Sequence, residues 1–241
     1  MCTLASDLGK SSVRTLKSLV HLSVVLTQLR TRNSQLPRGR HALSREEVAR
    51  NQRERIFAAF EEVVAERGYQ GASVARVSAA AGVSTRSFYT HFTDKTECFL
   101  LLLELRQQQL LAVLREACVD GDELAEMVRR ALDACLRLLS AEPFLAQLLT
   151  LEAPAAGGRI TRRHYEWLDA YAALLGEAAT RLPSAQRPSR SAELTIVGGI
   201  ASRIAESVLA KRTAALPRML PELSDVILAF YRPAASSGGA A

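Results

Sequence analysis

SVARVSAAAGVSTRSFYTHF, from Ser73 to Phe92, holds two short amphipathic helices separated by one glycine. Ser73 is placed to cap a helix over 74–81, whose Val74, Val77 and Ala81 fall on one stripe. Gly82 then supplies the left-handed residue that stops it, a conformation that a side chain would resist sterically. Ser84 caps a second helix through Phe92, in which Phe88 and Phe92 lie four apart and face inward. The faces those rings leave free carry Thr85, Arg86, Ser87, Tyr89, Thr90 and His91. This is the outline of a helix-turn-helix, whose second helix enters the major groove of double-stranded DNA with its N-terminal residues at base edges. Arg86 has the bidentate fork that reads guanine, and the Ser, Thr and Tyr hydroxyls suit phosphates.

Upstream, Leu43-Ser44-Arg45-Glu46-Glu47-Val48 opens a longer helix, with Ser44 and Glu47 at capping-box spacing and Leu43 set to staple onto Val48. Ile56, Phe60, Val63 and Val64 follow at helical spacing and give the third leg of a small core, up to Gly68. Downstream, Asp94 and Glu97 repeat the capping-box spacing ahead of a leucine-rich helix that runs to about Val119. Further helices are predicted at about 121–140, 142–153, 158–182, 190–213 and 221–231, punctuated by prolines such as Pro143, Pro183 and Pro217. Nothing alternates in the manner of a strand. The predicted fold is all-α, an N-terminal three-helix helix-turn-helix domain followed by a C-terminal helical ligand-binding and dimerisation domain. The division is a flexible N-terminal extension at 1–37, a DNA-binding domain at 38–95, a ligand-binding and dimerisation domain at 96–232 and a disordered tail at 233–241.

Charge follows the same division. The net charge is +6, yet up to Lys95 there are 15 basic and 8 acidic side chains, against 16 and 17 in the rest. The excess thus lies on the part of the chain that would face an anion. Hydrophobic residues at 48% and a mean hydropathy of +0.03 exclude wholesale disorder and a polytopic membrane protein. The apolar run from Leu19 to Leu26, behind Lys10, Arg14 and Lys17, is similar to a signal-peptide core but is broken by His21 and Ser23 and is too short to span a bilayer. No membrane partner is therefore predicted. Cys2, Cys98, Cys118 and Cys135 form no C-x-x-C and have no nearby histidine, which predicts neither a metal site nor a disulfide framework. They read as reduced thiols of a cytoplasmic protein, the last three buried. Arg38 and Arg40 make a short basic arm, either a solvated linker or a minor-groove contact.

Gly68-Tyr69, Ser73-Val74, Ala81-Gly82-Val83-Ser84 and Phe88-Tyr89-Thr90-His91-Phe92 leading into Asp94-Lys95 resemble the DNA-binding domain of the TetR family of bacterial transcriptional regulators. The resemblance runs from about Ser44 to Phe99. In the C-terminal part, Val197-Gly198-Gly199-Ile200, Leu216-Pro217 and Leu220-Pro221-Glu222-Leu223 resemble the last helices of an actinobacterial-type subgroup. The resemblance implies a phosphate contact at Ser73, base and backbone contacts from the helix that Ser84 opens, and a phosphate contact at Lys95. Position 86 is often small in the family, so Arg86 departs from its commonest pattern. Tyr89 has an alternative role in closing the core, and His91 one in packing. The resemblance also implies a homodimer on an inverted-repeat operator, acting as a repressor that a small-molecule effector releases.

The C-terminal region carries no nucleophile elbow, no H-E-x-x-H and no phosphate loop, so neither an enzyme nor a cofactor is predicted. Gly198-Gly199 suits close helix packing instead. His164, Trp167 and Tyr171 share one helical face, either as plain core or as the lining of a ligand pocket, with Cys135, Gln147 and Thr150 on neighbouring helices as further candidates. In the last two long helices Leu194, Val197, Ile200, Ile204 and Val208, then Leu223, Val226, Ile227, Phe230 and Tyr231, cover more than one face. A pair apolar on two sides is either central in the monomer or packed on its copy in a second subunit. The competing function is a helical small-molecule-binding or enzymatic protein that does not use its helix-turn-helix for DNA.

Overall fold

A computed structural model describes residues 44–118, 123–183 and 187–231. The expectations for the extension, for Leu43, Arg38 and Arg40, and for the tail lie outside the described residues. Helices, and no strands, form among the described residues, in two compact units, Met1–Gln109 and Leu110–Ala241.

In the first unit α1 (Arg45–Gly71) opens on the expected capping box, with Glu47 N donating to Ser44 Oγ at 3.2 Å and Ser44 N to Glu47 Oε2 at 2.7 Å. Gly68, at φ 68°, does not end the helix but kinks it, and one further turn runs to Gly71. Then come α2 (Val74–Ala81), Gly82 in the left-handed region at φ 61°, and α3 (Thr85–Tyr89). Helix α3 stops three residues short of Phe92. Thr90 N bonds both Arg86 O and Ser87 O while Thr90 Oγ1 donates to Ser87 O at 2.6 Å, a tightened turn that uses up the carbonyls a longer helix would need. At the start of α4 (Lys95–Ala117) Asp94 Oδ1 accepts from Glu97 N at 2.7 Å, but the Glu97 carboxylate reaches Thr93 N and Oγ1 rather than Asp94 N. The expected box is displaced by one residue.

Aromatic rings fill the middle of this unit. Phe60 meets Phe99 edge-on at 5.7 Å, Tyr69 packs on Phe99 at 4.6 Å, and Phe92 lies between Phe57 (5.5 Å) and Phe88 (5.2 Å). Such pairs add about 0.5–1.5 kcal/mol each beyond the area they bury. One buried ion pair joins α1 to α4, with Arg106 Nη2 at 2.6 Å and Nε at 2.7 Å from Glu61 Oε1. Phe99, Leu102, Leu103 and Arg106 are buried in the first half of α4, so the first unit runs beyond Lys95 to Gln109 and the division falls inside α4.

The second unit contains α5 (Leu124–Ala141), α6 (Pro143–Gln147) with a π-helical turn at Leu148–Glu152 and a short helical turn at Ala153–Ala155, α7 (Gly158–Ala178), α8 (Arg190–Leu209) and α9 (Leu220–Ala229). A 3₁₀ segment, Thr213–Met219, links the last two. Helix α7 packs on α8, and α5 on the 3₁₀ segment and α9. Helix α8 ends at Leu209 rather than near 213, because Arg212 N closes back onto Ser207 O at 2.8 Å through a left-handed Lys211. Gly176 lies where a Cβ would come 2.7 Å from Glu193 Oε1, so its bare backbone makes room for that buried carboxylate. Gly198 and Gly199 have no atom within 4 Å of the place a Cβ would take. The close packing expected of them is not met among the described residues.

Among the described residues no single helix is long and apolar enough to cross a membrane, although the bent pair Leu124–Ala141 and Pro143–Ala155 has the composition for it. No cluster of three metal-ligating side chains occurs among them.

Candidate nucleic-acid interface and ligand face

Serine hydroxyls start both helices of the helix-turn-helix. Ser73 Oγ accepts from Arg76 N at 3.3 Å and Ser84 Oγ from Ser87 N at 3.0 Å. In each the oxygen is engaged in the cap, and the hydroxyl hydrogen remains able to turn to a phosphate. Thr85, Arg86, Tyr89 and Thr90 are exposed, Tyr89 by 57%, while its ring edge rests on Phe88 at 5.7 Å. Tyr89 thus packs on Phe88 while staying more than half exposed.

Ser87 and His91 are held differently. Ser87 Oγ donates to Gln52 Oε1 at 3.3 Å, and His91 Nε2 lies 3.1 Å from the same oxygen. Burial, then the Arg53 guanidinium, lowers the His91 pKa and favours its neutral ring. Lys95 is held inside the first unit. Its Nζ donates to Tyr69 O and Ala72 O, both at 3.0 Å, and sits 4.2 Å from the centre of the Tyr69 ring. Two of its three N–H bonds thereby tie the start of α4 to the end of α1, and partial burial lowers its pKa.

Two residues that the sequence did not point to support this surface. Arg55 Nη2 donates to Ala81 O and, at 3.1 Å, to Gly82 O, so a guanidinium from α1 closes the turn. Gln52 stands three residues earlier on the same helix. Their spacing with buried Ile56 and Ala59 places them on the inward side, but polar side chains there carry no sign of which partner they take.

In the second unit, His164 and Trp167 are buried and Tyr171 half-buried, and the Trp167 and Tyr171 rings lie 6.1 Å apart. His164 Nδ1 is buried without a hydrogen-bond partner, and burial lowers the pKa of its ring. Arg163 stacks over Trp167 at 5.4 Å. Cys135 is buried, its thiol pushed up to about 12 by desolvation, which makes it an inert apolar contact. Gln147 and Thr150 are occupied at the π turn, Gln147 Nε2 with Glu152 Oε1 at 3.0 Å and Thr150 Oγ1 with Ala146 O at 2.7 Å.

Residues 56–102 match the family model described as bacterial regulatory proteins, tetR family. The nucleoid occlusion factor SlmA of Serratia proteamaculans is 29% identical over 107 residues, 44% of this chain and 54% of that protein. The transcriptional activator FasR of Mycolicibacterium smegmatis is 30% identical over 82 residues, 34% of this chain and 37% of that protein. The chain thus spans about half the length of these curated relatives, or less. Among solved structures, the fatty acid degradation regulator FadR of Bacillus halodurans superposes with a TM-score of 0.66 at 21% identity, over 74% of this chain and 99% of that one. FadR of Bacillus subtilis, solved in complex with stearoyl-CoA, gives 0.65 at 18% identity, over 74% and 98%.

Proposed function

We propose, from the premise that the chain belongs through residues 56–102 to the tetR family of bacterial regulatory proteins, that it is a sequence-specific DNA-binding transcriptional regulator. The observation that carries this reading is the state of α3. Five residues are too few to be helical alone, yet they are capped by Ser84, anchored by buried Phe88 and held from α1 through Gln52, while Arg55 of the same helix fixes the turn before them. Rigidity of that kind is what base reading requires, and the face left open carries Thr85, Arg86, Tyr89 and Thr90. Ser73, Ser84 and Lys95 supply phosphate contacts around it, Ser87 and His91 lie at its edge, and the basic arm at Arg38 and Arg40 follows the minor groove.

The chain works in the cytoplasm as a homodimer through α8 and α9. Leu209 is 70% exposed, Val226 48% and Phe230 45%, and the open space over Gly198 and Gly199 admits another helix at close range. Two copies place two recognition helices in successive major grooves, which calls for an inverted-repeat operator. An effector site on the His164, Trp167 and Tyr171 face of α7 offers stacking surfaces and one unpaired ring nitrogen. FadR of Bacillus subtilis was solved with stearoyl-CoA, so a long-chain acyl thioester is the first effector class to try. An effector that releases DNA must bind the non-DNA conformation more tightly, typically by about 1–3 kcal/mol.

The test is selection of bound DNA from a random pool by the full chain, repeated with acyl-CoA esters of increasing length. Enrichment of an inverted repeat is the expected result. A pool that shows no sequence enrichment overturns the reading and leaves the helical binding protein or enzyme that does not use its helix-turn-helix.

A further inference from the structure

We propose that Gln52 of α1, outside the helix-turn-helix, is a positioning residue that holds Ser87 and His91 of the recognition segment on one oxygen and fixes His91 as the Nε2–H tautomer. The assignment of a DNA-reading consequence rests on the function proposed above, while the tautomer itself does not.

Gln52 Oε1 lies 3.3 Å from Ser87 Oγ and 3.1 Å from His91 Nε2. A carboxamide oxygen has no proton to give, so both neighbours must donate to it. His91 Nε2 therefore carries its hydrogen, and in the neutral ring Nδ1 keeps a lone pair. Among the described residues Nδ1 has no hydrogen-bond partner and is not one of the buried unpaired atoms, so it meets solvent. A lone pair accepts from the amino group of adenine or cytosine in the major groove and repels a phosphate oxygen. Gln52 thereby decides that His91 acts as an acceptor, a choice the histidine alone leaves open.

The arrangement also restricts Ser87, whose hydroxyl hydrogen is spent on Gln52. Three residues on, Arg55 fixes the carbonyls of Ala81 and Gly82, so one turn of α1 holds both the turn and the recognition segment. A Cβ at position 82 would stand 2.7 Å from Arg55 Nη2, which gives Gly82 a second reason to be glycine beyond its φ of 61°.

The experiment is ¹⁵N NMR of the imidazole nitrogens in the full chain near pH 7.5, with His91→Ala assigning the resonance among the four histidines. It is paired with titration of the DNA selected by the wild-type protein. The wild type should show protonated Nε2 and bare Nδ1. Gln52→Ala should give a tautomer mixture, lower DNA affinity about tenfold through the two lost hydrogen bonds, and relax preference at one position per half-site. Gln52→Glu keeps the acceptor and should restore the Nε2–H pattern. A wild-type His91 protonated at Nδ1, or a Gln52→Ala protein with unchanged nitrogen shifts, overturns the proposal. If the wild type selects no DNA, the regulator reading falls, and the nitrogen shifts still decide the role of Gln52.

Discussion

The two units begin their helices in different ways. In the first, α1, α2 and α3 each start on a serine whose side chain accepts a backbone N–H, at Ser44, Ser73 and Ser84. In the second, Glu123, Glu142 and Gly157 stand at the N-caps of α5, α6 and α7 with no side-chain cap, and only Ser189 before α8 does what the first unit does throughout. Polar side chains of the first unit pair across long stretches of chain, as in Glu61 with Arg106 and Gln52 with Ser87 and His91, and each unit also keeps buried unpaired polar atoms, Ser78 Oγ and Gln108 Oε1 in the first and His164 Nδ1, Ser224 Oγ and Tyr231 Oη in the second. A unit that must hold five residues at fixed geometry benefits from local bonds. The second unit instead leaves apolar side chains such as Leu209, Val226 and Phe230 exposed, as the proposed contact with a second copy would need.

The largest effect should come from breaking the best-matched contact. Arg106→Ala removes the guanidinium from the Glu61 carboxylate, which is 11% exposed in its side chain, and should cost about 3 kcal/mol. Denaturation followed by far-ultraviolet circular dichroism reads the loss. Trp167, the single tryptophan, lies in the second unit and reports that unit by fluorescence. Replacing both partners, Arg106→Met with Glu61→Leu, should recover most of the stability. An unchanged midpoint in Arg106→Ala would mean the pair contributes nothing to the first unit.

The matching change in the second unit should leave the subunit folded. Val226→Asp places a charge on an exposed residue of α9, so its cost appears only where a partner would desolvate it. If α8 and α9 form the proposed homodimer interface, dissociation should become easier by roughly 2–3 kcal/mol, seen as a shift to monomer in sedimentation, with the circular dichroism unaltered. A variant that remains dimeric would move the interface elsewhere.

Much of the first unit is legible in the sequence because its determinants are local. The Ser44 and Glu47 box, the cap at Ser84 and the left-handed Gly82 all act within four residues. The misreadings arise where distant or unusual partners decide. Gly68 kinks α1 instead of ending it, and the end of α3 depends on how Thr90 turns back. In the second unit the wide turn at Leu148–Glu152 forms where Leu148 and Leu149 are buried, and α8 ends on a left-handed lysine, a residue with no preference for that conformation. The exposure of Arg86 and Tyr89 follows from helical phase alone. Gln52 and Arg55 could not be read, since their partners lie up to 39 positions away.

Arg86 sharpens the comparison on the functional side. It is exposed, and nothing in its setting holds it for stability, so Arg86→Ala should leave unfolding unchanged. If it reads guanine through both nitrogens, the variant should weaken binding to the selected operator by about 1–3 kcal/mol and relax preference at one base pair in each half-site. Equal loss on all sequences, with a flatter salt dependence, would instead place the guanidinium on a phosphate.

The smallest effect should come from giving the second unit what the first already has. Glu123 precedes α5 with φ −67° and ψ 150°, close to the φ −74° and ψ 154° of Ser84, so the backbone is already shaped for a capping residue. Its longer side chain makes no cap hydrogen bond there. Glu123→Ser can offer an oxygen to the amide of Glu126, three residues on, at the spacing Ser84 uses for Ser87; that amide already donates to Glu123 O at 3.0 Å, so the gain should be about 0.5 kcal/mol. Trp167 fluorescence during denaturation measures it within the right unit. A gain shows that the second unit lacks caps rather than the geometry for them. No gain would mean that packing alone sets the start of α5, and that the two units differ in more than the residue at the N-cap.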